Sequence, residues 1–422
     1  MSRSAAGNSA AVSASTGTRA GRSTGRGVRG PAAAAIVATA FVVVMLGATL
    51  PTPLYPIYQQ RLGFGGLLVT VVFAAYAVGV ALALVLFGRL SDQVGRRAVL
   101  LPGLVLAAVS SAVFLVPGSI TALFVGRVLS GLSAGVFTAT ATAMLVDLAP
   151  EGRGRRYSLV AAAVNMLGLG LGPVLAGALA EYAPLPLELS YAVHIVLVLL
   201  VGMALLLVVD PVGRTVETIN WSPQRISIPP QARGTFVRAA TAGFAGFAVL
   251  GLFTAVSPSF VGQVLHISNH LVTGLVVFAL LGSSTVGQVA SASITERRAL
   301  LVGALALVVG VAVVGTSVGV GSLLLLVVGA VVAGLGQGMS FRAGLGEVTA
   351  NSPAAQRGEV SASFFLVLYI GIAVPVIGVG VLAQLTSLVV AGVAFSAVVA
   401  ALAAAAFVSL VIAGSRDRTP AT

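Results

Sequence analysis

Apolar runs of about 20 residues recur along the whole chain, and this feature constrains its fold more than any other. Coiled as a helix, such a run is long enough to cross a hydrocarbon layer of about 30 Å. Helices suit this role because each one satisfies its own backbone hydrogen bonds in lipid, whereas a membrane barrel needs short alternating strands. With 58% hydrophobic and 8% charged residues, the sequence predicts an all-α integral membrane protein embedded in the lipid bilayer.

The apolar runs form two sets of six with a polar stretch between them. They lie near residues 32–57, 67–89, 98–117, 120–146, 157–180, 189–209, 235–262, 271–292, 299–318, 321–346, 360–384 and 388–413. We predict one bundle over 31–210, a cytosolic linker over 211–234, a second bundle over 235–413 and a short cytosolic tail over 414–422. Residues 1–30 contain five arginines and no acid, which predicts a disordered basic cytosolic tail. An organellar transit peptide is the alternative, since such peptides are also rich in Arg and Ser.

The positions of the arginines predict the orientation in the membrane. If the N-terminus is cytosolic, 20 of the 23 arginines lie in cytosolic tails, in cytosolic loops or at span ends. This distribution follows the positive-inside rule. We therefore expect a plasma-membrane protein with both termini cytoplasmic, and we expect no nucleic-acid partner despite the net charge of +12. The three scattered histidines and the lack of cysteine predict no metal site, and we expect no cofactor.

The two halves of the chain repeat each other. "GLSAGVF" from Gly131 matches "GLGQGMS" from Gly334, and the same offset of 203 relates Pro150 to Pro353. Because six is an even number, both copies cross the membrane in the same orientation. Such a parallel repeat predicts two six-helix bundles around a central axis.

The stretch "GRLSDQVGRR", residues 88–97, concentrates charge between two apolar runs. Gly88 permits close helix approach, and Gly95 can adopt backbone angles that other residues resist. A plain positive-inside loop needs the arginines but not the aspartate and the two spaced glycines. Partly desolvated ion pairs of Asp92 with Arg96 and Arg97 could hold one packing of the bundles.

This stretch resembles the signature loop of the major facilitator superfamily, roughly G-x-x-x-D-[RK]-x-G-R-[RK], with Gln93 where the family usually has a base. The resemblance implies the family's fold of two six-helix bundles. It also implies that the loop pairs with an acidic residue at the inner end of span four and with span eleven, which helps to hold the outward-open state. The predicted conformational latch consists of Gly88, Asp92, Gly95, Arg96, Arg97 and Asp147.

Span four carries Arg127, whose setting with Gly131 and Gly135 resembles a family motif tied to proton transfer. A buried arginine costs at least about 2.5 kcal/mol, so it needs a partner, water or a substrate, unless it snorkels to the outer interface.

Arg342 and Glu347 could pair with each other or mark the inner end of span ten, and His194 could be an interface histidine. The candidates for proton coupling are Arg127, Asp147, Glu347 and His194.

Span five carries "GLGLGPVLAG", which resembles the family's antiporter motif G-x-x-x-G-P-x-x-x-G. Glycines permit tight helix packing, and a proline removes one helical hydrogen bond and bends the span. The resemblance favours export by exchange over uptake. The predicted hinge consists of Gly168, Gly172, Pro173 and Gly177.

Several further polar side chains at membrane depth are candidates for the substrate pathway. They are Tyr55, Tyr58, Tyr76, Asn165, Gln288, Gln337, Arg342 and Tyr369. Each of them could instead make an interhelical hydrogen bond, typically worth under about 1 kcal/mol. Tyr55 and Tyr58 could also be aromatic anchors at the membrane interface.

Together these patterns predict a monomeric secondary transporter that exports small amphipathic or lipophilic molecules in exchange for protons, by alternating access. A nucleotide-binding loop of the G-x-x-x-x-G-K-[ST] kind is excluded because the chain has no lysine. An importer or uniporter of a sugar or small metabolite is the closest alternative. A membrane sensor would normally carry a soluble output domain, and no catalytic cluster supports an enzyme.

Overall fold

The computed structural model describes residues 27–116, 118–212, 223–353 and 356–416. Most of the predicted disordered tail over 1–30 lies outside these ranges. So do residues 213–222 of the predicted linker and residues 417–422 of the predicted C-terminal tail.

Twelve helices within the described ranges are long and apolar enough to cross a membrane, which confirms the predicted all-α architecture. We number them as spans 1 to 12: Gly30–Leu62, Gly66–Phe87, Arg96–Phe114, Ile120–Asp147, Gly154–Tyr182, Leu189–Leu206, Pro230–Ala255, His270–Ser293, Glu296–Val320, Leu323–Ala350, Arg357–Leu385 and Leu388–Ala413. In the same ranges, β pairing is limited to one isolated bridge between Val28 and Val208. We call the end that carries the 88–97 turn the inner end and the opposite one the outer end.

Spans 1 and 7 are both interrupted near the outer end. Span 1 consists of a helix over Gly30–Thr49, a 3₁₀ turn over Thr52–Leu54 and a helix over Tyr55–Leu62. The helix of span 7 ends at Ala255, and a short helix over Ser257–Gln263 follows. Prolines at the start of each new segment explain both breaks, because proline has no N–H to continue the helical hydrogen bonds.

Each half of the chain packs into its own six-helix bundle. In the first bundle, span 1 packs on spans 4, 5 and 6, while span 3 packs on spans 4 and 6. In the second bundle, span 7 packs on spans 10, 11 and 12, while span 9 packs on spans 10 and 12. The two bundles meet chiefly where span 2 contacts span 11 and where span 5 contacts span 8. The space between these two contacts separates the two bundles at the centre of the molecule.

Spans 5 and 8 touch backbone to backbone in their outer halves. A Cβ atom added at Gly274 would lie 2.2 Å from the carbonyl oxygen of Pro173, and one added at Gly177 would lie 2.4 Å from that of His270. Only glycine permits such an approach. The outer part of this contact is reinforced by the Glu181 carboxylate, 3.0 Å from the His270 imidazole Nδ1.

Candidate functional site

A small central cavity lies between the bundles and is lined mainly by aromatic and aliphatic side chains. The aromatic lining residues are Phe73, Tyr76, Phe247, Phe341, Phe365 and Tyr369. The polar groups among the other lining residues are neutral: Thr49, Thr138, Asn165 and Thr254. Its volume is about 30 Å³, far below the roughly 300 Å³ or more of a typical ligand pocket. Its rings pair within each bundle, Phe73 with Tyr76 in the first and Phe247 with Tyr369 in the second.

A larger cavity of about 490 Å³ leads from this centre to the inner end. It shares Thr138, Asn165, Phe341 and Phe365 with the central cavity, so the two cavities adjoin each other. Near the inner surface its lining includes charged side chains: Arg89, Asp92 and Glu359. The centre of the molecule therefore faces the inner end.

The outer cavity is separate from the centre. It measures about 540 Å³, lies between the outer parts of spans 2, 7 and 11, and has no lining residue in common with the central cavity. A Cβ atom added at Gly380 of span 11 would lie 3.1 Å from the methyl carbon of Thr70 on span 2. This contact, with the contact of spans 5 and 8, closes the outer side.

The turn over residues 88–97 gathers three of the predicted latch residues. Arg96 Nε lies 2.8 Å from Asp147 Oδ2, and Arg96 Nη1 contacts Asp92 Oδ1. Gly95 has a φ of +100°, a backbone conformation that side-chain-bearing residues avoid, as predicted for this position. These ion pairs are present while the central cavity faces inward, so they do not by themselves close the inner end.

Arg97, like Arg96, bonds within the first bundle. Its Nη1 donates hydrogen bonds to the carbonyl oxygens of Leu206 (3.0 Å) and Val208 (2.9 Å), where span 6 ends. The Asp210 carboxylate accepts from the backbone N–H groups of Arg96 (3.2 Å) and Arg97 (2.8 Å), and so caps the start of span 3. Sequence reasoning missed Asp210. Its only signal is an acid directly after an apolar run.

The described part of the linker crosses the inner mouth and contacts both bundles. The backbone N–H of Gln224 donates to the carbonyl oxygen of Val85 at 2.8 Å, and its buried side chain lies beside Gly88 and Gly358. Further along, the backbone N–H of Ser227 donates to Ser363 Oγ of span 11 at 3.1 Å. Because Gly88 has no side chain, the Gln224 side chain of the linker can lie against it.

Arg127 is fully buried in the first bundle, with 1% of its surface exposed, so the snorkelling alternative is wrong. Its Nη1 donates to the carbonyl oxygen of Ala48 at 2.6 Å. Its guanidinium carbon lies 4.7 Å from the Tyr76 ring centroid and 5.3 Å from that of Phe73, within the range of cation–π attraction. All three contacted residues line the central cavity, so Arg127 lies one side-chain layer behind its wall.

His194 also lies in the interior of the first bundle, 1% exposed, so it is not an interface histidine. Its Nδ1 is 2.7 Å from the Ser111 hydroxyl, and its Nε2 is 3.0 Å from the carbonyl oxygen of Val43. It is absent from the linings of the central, inner and outer cavities.

Arg342 and Glu347 do not form an ion pair with each other in the described structure. The Arg342 Nη1 group donates instead to the carbonyl oxygen of Ser291 at 3.0 Å, at the inner end of span 8. Five residues along a helix turn the side chains roughly 140° apart, which explains why they point in different directions. The pairing alternative is therefore wrong.

The predicted pathway residues separate into two groups. Tyr76, Asn165 and Tyr369 line the central cavity. The remaining ones are absent from the linings of the central and inner cavities: Tyr55, Tyr58, Gln288, Gln337 and Arg342.

The second group makes contacts inside the bundles. Gln337 and Gln288 both bond to the Ser284 hydroxyl, the latter at 3.4 Å, and so join span 10 to span 8. Tyr55 and Tyr58 are buried in the outer half of the first bundle, where the Tyr58 hydroxyl lies 3.2 Å from that of Tyr191. They are therefore not exposed interface anchors.

The predicted hinge of span 5 lies in a helix that runs unbroken over Gly154–Tyr182. A Cβ atom added at Gly168 would lie 2.6 Å from the Cβ of Met45, and one at Gly172 would lie 2.3 Å from the Leu46 carbonyl oxygen. Gly168 and Gly172 thus pack against span 1, whereas Gly177 packs against span 8. The motif places span 5 between its own bundle and the partner bundle.

Comparisons with known proteins agree with this architecture. The family model described as Major Facilitator Superfamily matches residues 37–376. The quinolone resistance protein NorA of Staphylococcus aureus is 29% identical over 171 residues, which cover 40% of this chain and 43% of that protein. An uncharacterized MFS-type transporter, MJ1560, of Methanocaldococcus jannaschii is 27% identical over 137 residues, or 32% of this chain and 36% of that protein. Each match thus spans less than half of the relative's length.

Among solved structures, the human organic anion transporter MFSD10 (TETRAN) superposes with a TM-score of 0.63. The superposition covers 90% of this chain and 99% of the human chain, at 18% sequence identity. At this level of identity the likeness shows the fold alone.

Proposed function

The chain belongs to the major facilitator superfamily of membrane transporters, and we propose that it exports small amphipathic or lipophilic molecules in exchange for protons. One observation carries this proposal. The space between the bundles is lined by aromatic and aliphatic side chains and by neutral polar groups, and it shares part of its lining with the inner cavity. Aromatic surface with a few polar groups suits the binding of apolar molecules of small size.

Transport through this space requires the two bundles to change their relative tilt. The outer side is closed by the contacts of Thr70 with Gly380 and of Pro173 with Gly274, while the inner side is accessible. Opening the outer side would separate spans 2 and 11 and loosen spans 5 and 8, around a binding site near the membrane midplane. We assign the inner end to the cytoplasm and the molecule to the plasma membrane, as a monomer with cytoplasmic termini.

Export by proton exchange has two supports. The span 5 motif resembles the family's antiporter motif, and its Pro173 and Gly177 contact span 8 of the second bundle. The similarity to a quinolone resistance protein favours drug-like substrates. Of the candidates for coupling, Asp147 is the best placed, because it holds Arg96 beside Asp92 at the inner mouth. Protonation of Asp147 would weaken this ion pair and free the turn to move.

An accumulation assay in cells tests the proposal. Cells that express the protein and cells with an empty vector are loaded with a fluorescent amphipathic dye, with and without an uncoupler. We expect lower accumulation in the expressing cells and loss of this difference with the uncoupler. Uncoupler-insensitive flux would indicate a uniporter, and higher accumulation would indicate uptake; either result contradicts the proposal.

A further inference from the structure

The carboxylates of this protein lie at the ends of the spans or in the turns. Nine of the eleven acidic residues belong to the described ranges. They are Asp92, Asp147, Glu151, Glu181, Glu188, Asp210, Glu296, Glu347 and Glu359. Each lies in a loop or turn, or within about one helical turn of the end of its span. Within the described structure, the middle of the membrane therefore holds no carboxylate.

Arg127 is consequently a buried cation without a matching anion among the described residues. None of the nine described carboxylates lies within ion-pair distance of it. The rings beside its guanidinium, Tyr76 and Phe73, carry no formal charge. Its Nε has no hydrogen-bond partner in the described structure. A cation at membrane depth is costly even with one carbonyl and two ring contacts, and a nearby anion would relieve part of that cost.

The central cavity is the space that such an anion would enter. Ala48, Phe73 and Tyr76 contact Arg127 on one side and line the central cavity on the other. The polar groups of the lining carry no formal charge, so they do not cancel the potential of Arg127. In an apolar interior, a charge acts across one layer of side chains much more strongly than it does in water.

From this arrangement we infer that the central cavity selects organic anions with an aromatic or apolar body and rejects the corresponding cations. The anionic group compensates Arg127 electrostatically through the Tyr76 and Phe73 wall, while the apolar body packs among the rings. The inference rests on the proposed function only in taking the central cavity as the substrate site.

Equilibrium binding to the purified protein in detergent tests the inference with three probes of one shape. The probes are 1-naphthoate, 1-naphthamide and 1-naphthylmethylammonium, measured by titration calorimetry. We expect the carboxylate to bind about tenfold more tightly than the ammonium, with the amide between them. Arg127→Gln should remove this preference, and Arg127→Lys should retain most of it. Arg61→Gln is the matched control, since Arg61 is an exposed arginine paired with Glu188 at the outer end.

A second variant covers the case in which Arg127→Gln does not fold. Asn165→Asp adds a carboxylate to the cavity lining with little change of shape, and it should shift the preference toward the ammonium probe. Equal or tighter binding of the ammonium to the unmodified protein would overturn the inference. Failure of all three probes to bind would also overturn it. An equal loss of affinity for all three probes in Arg127→Gln would overturn it as well, because it would indicate that Arg127 has a purely structural role.

The outcome is separable from that of the proposed function. Binding that prefers the carboxylate, in a protein that shows no uncoupler-sensitive export, would refute the export proposal and leave this inference standing. If export is uncoupler-sensitive but the cavity prefers the ammonium probe, the export proposal stands and this inference is refuted.

Discussion

The hydroxyl of Thr49 donates a hydrogen bond of 2.7 Å to the carbonyl oxygen of Leu169. Leu169 lies four residues before Pro173, whose ring nitrogen has no N–H, so this carbonyl lacks its helical donor. Thr49 on span 1 supplies the missing donor and allows span 5 to continue unbroken past the proline. The bond also ties spans 1 and 5 together where both line the central cavity.

Replacement of Thr49 by valine should destabilise the protein. The change keeps the shape of the side chain but leaves a buried carbonyl unsatisfied, which costs about 1–3 kcal/mol. The thermal unfolding midpoint in detergent should fall for Thr49→Val and stay close to the native value for Thr49→Ser. Thr39→Val is the control, because the Thr39 hydroxyl is exposed and bonds within its own helix. Equal midpoints for the valine and serine variants would refute this role.

Asp92→Asn should leave the protein folded and inserted but slow transport. Arg96 loses one of its two carboxylate partners, and the side chain of Asp92 is 62% exposed. A partly exposed ion pair contributes up to about 1 kcal/mol, which corresponds to roughly a fivefold change in rate. Dye efflux from cells with matched expression measures the effect, with Glu151→Gln as a nearby exposed control. Undiminished efflux in Asp92→Asn would show that Asp92 is not part of a latch.

Gly274→Ala should separate the outer halves of spans 5 and 8. The added methyl group would lie 2.2 Å from the Pro173 carbonyl oxygen, so the helices must move apart. Overpacking of this kind costs about 1–3 kcal/mol and should lower the thermal unfolding midpoint. Gly378→Ala is the matched control on span 11, because its methyl group would meet nothing within 4 Å. A similar shift in both variants would argue against the close contact.

The sequence predicts the parts of this fold that depend on local signals. Apolar run length gives the twelve spans, and the prolines at positions 51, 53, 56 and 258 mark the breaks in spans 1 and 7. The need for glycine at position 95 follows from the turn itself. The approach of Asp147 to Arg96, in contrast, came from the family resemblance rather than from the residues alone.

Other parts of the site depend on which helices are neighbours and on the rotation of each helix. Hydropathy places Gln288 and Gln337 at membrane depth but does not show that they face the Ser284 hydroxyl rather than the cavity. The roles of Thr49 and Gln224 likewise arise from partners more than 100 residues away along the chain. Such contacts have no local sequence signal.

Cross-linking of the outer end tests the alternating movement of the two bundles most directly. The chain has no cysteine, so a pair at Thr70→Cys and Gly380→Cys would be the only one, and their closeness suits a disulfide. A Gly303→Cys and Ser340→Cys pair, within the second bundle, is the matched control. In proteoliposomes, the disulfide between spans 2 and 11 should stop dye transport, reduction should restore it, and the control disulfide should leave it unchanged. Full transport by the cross-linked outer pair would contradict the account.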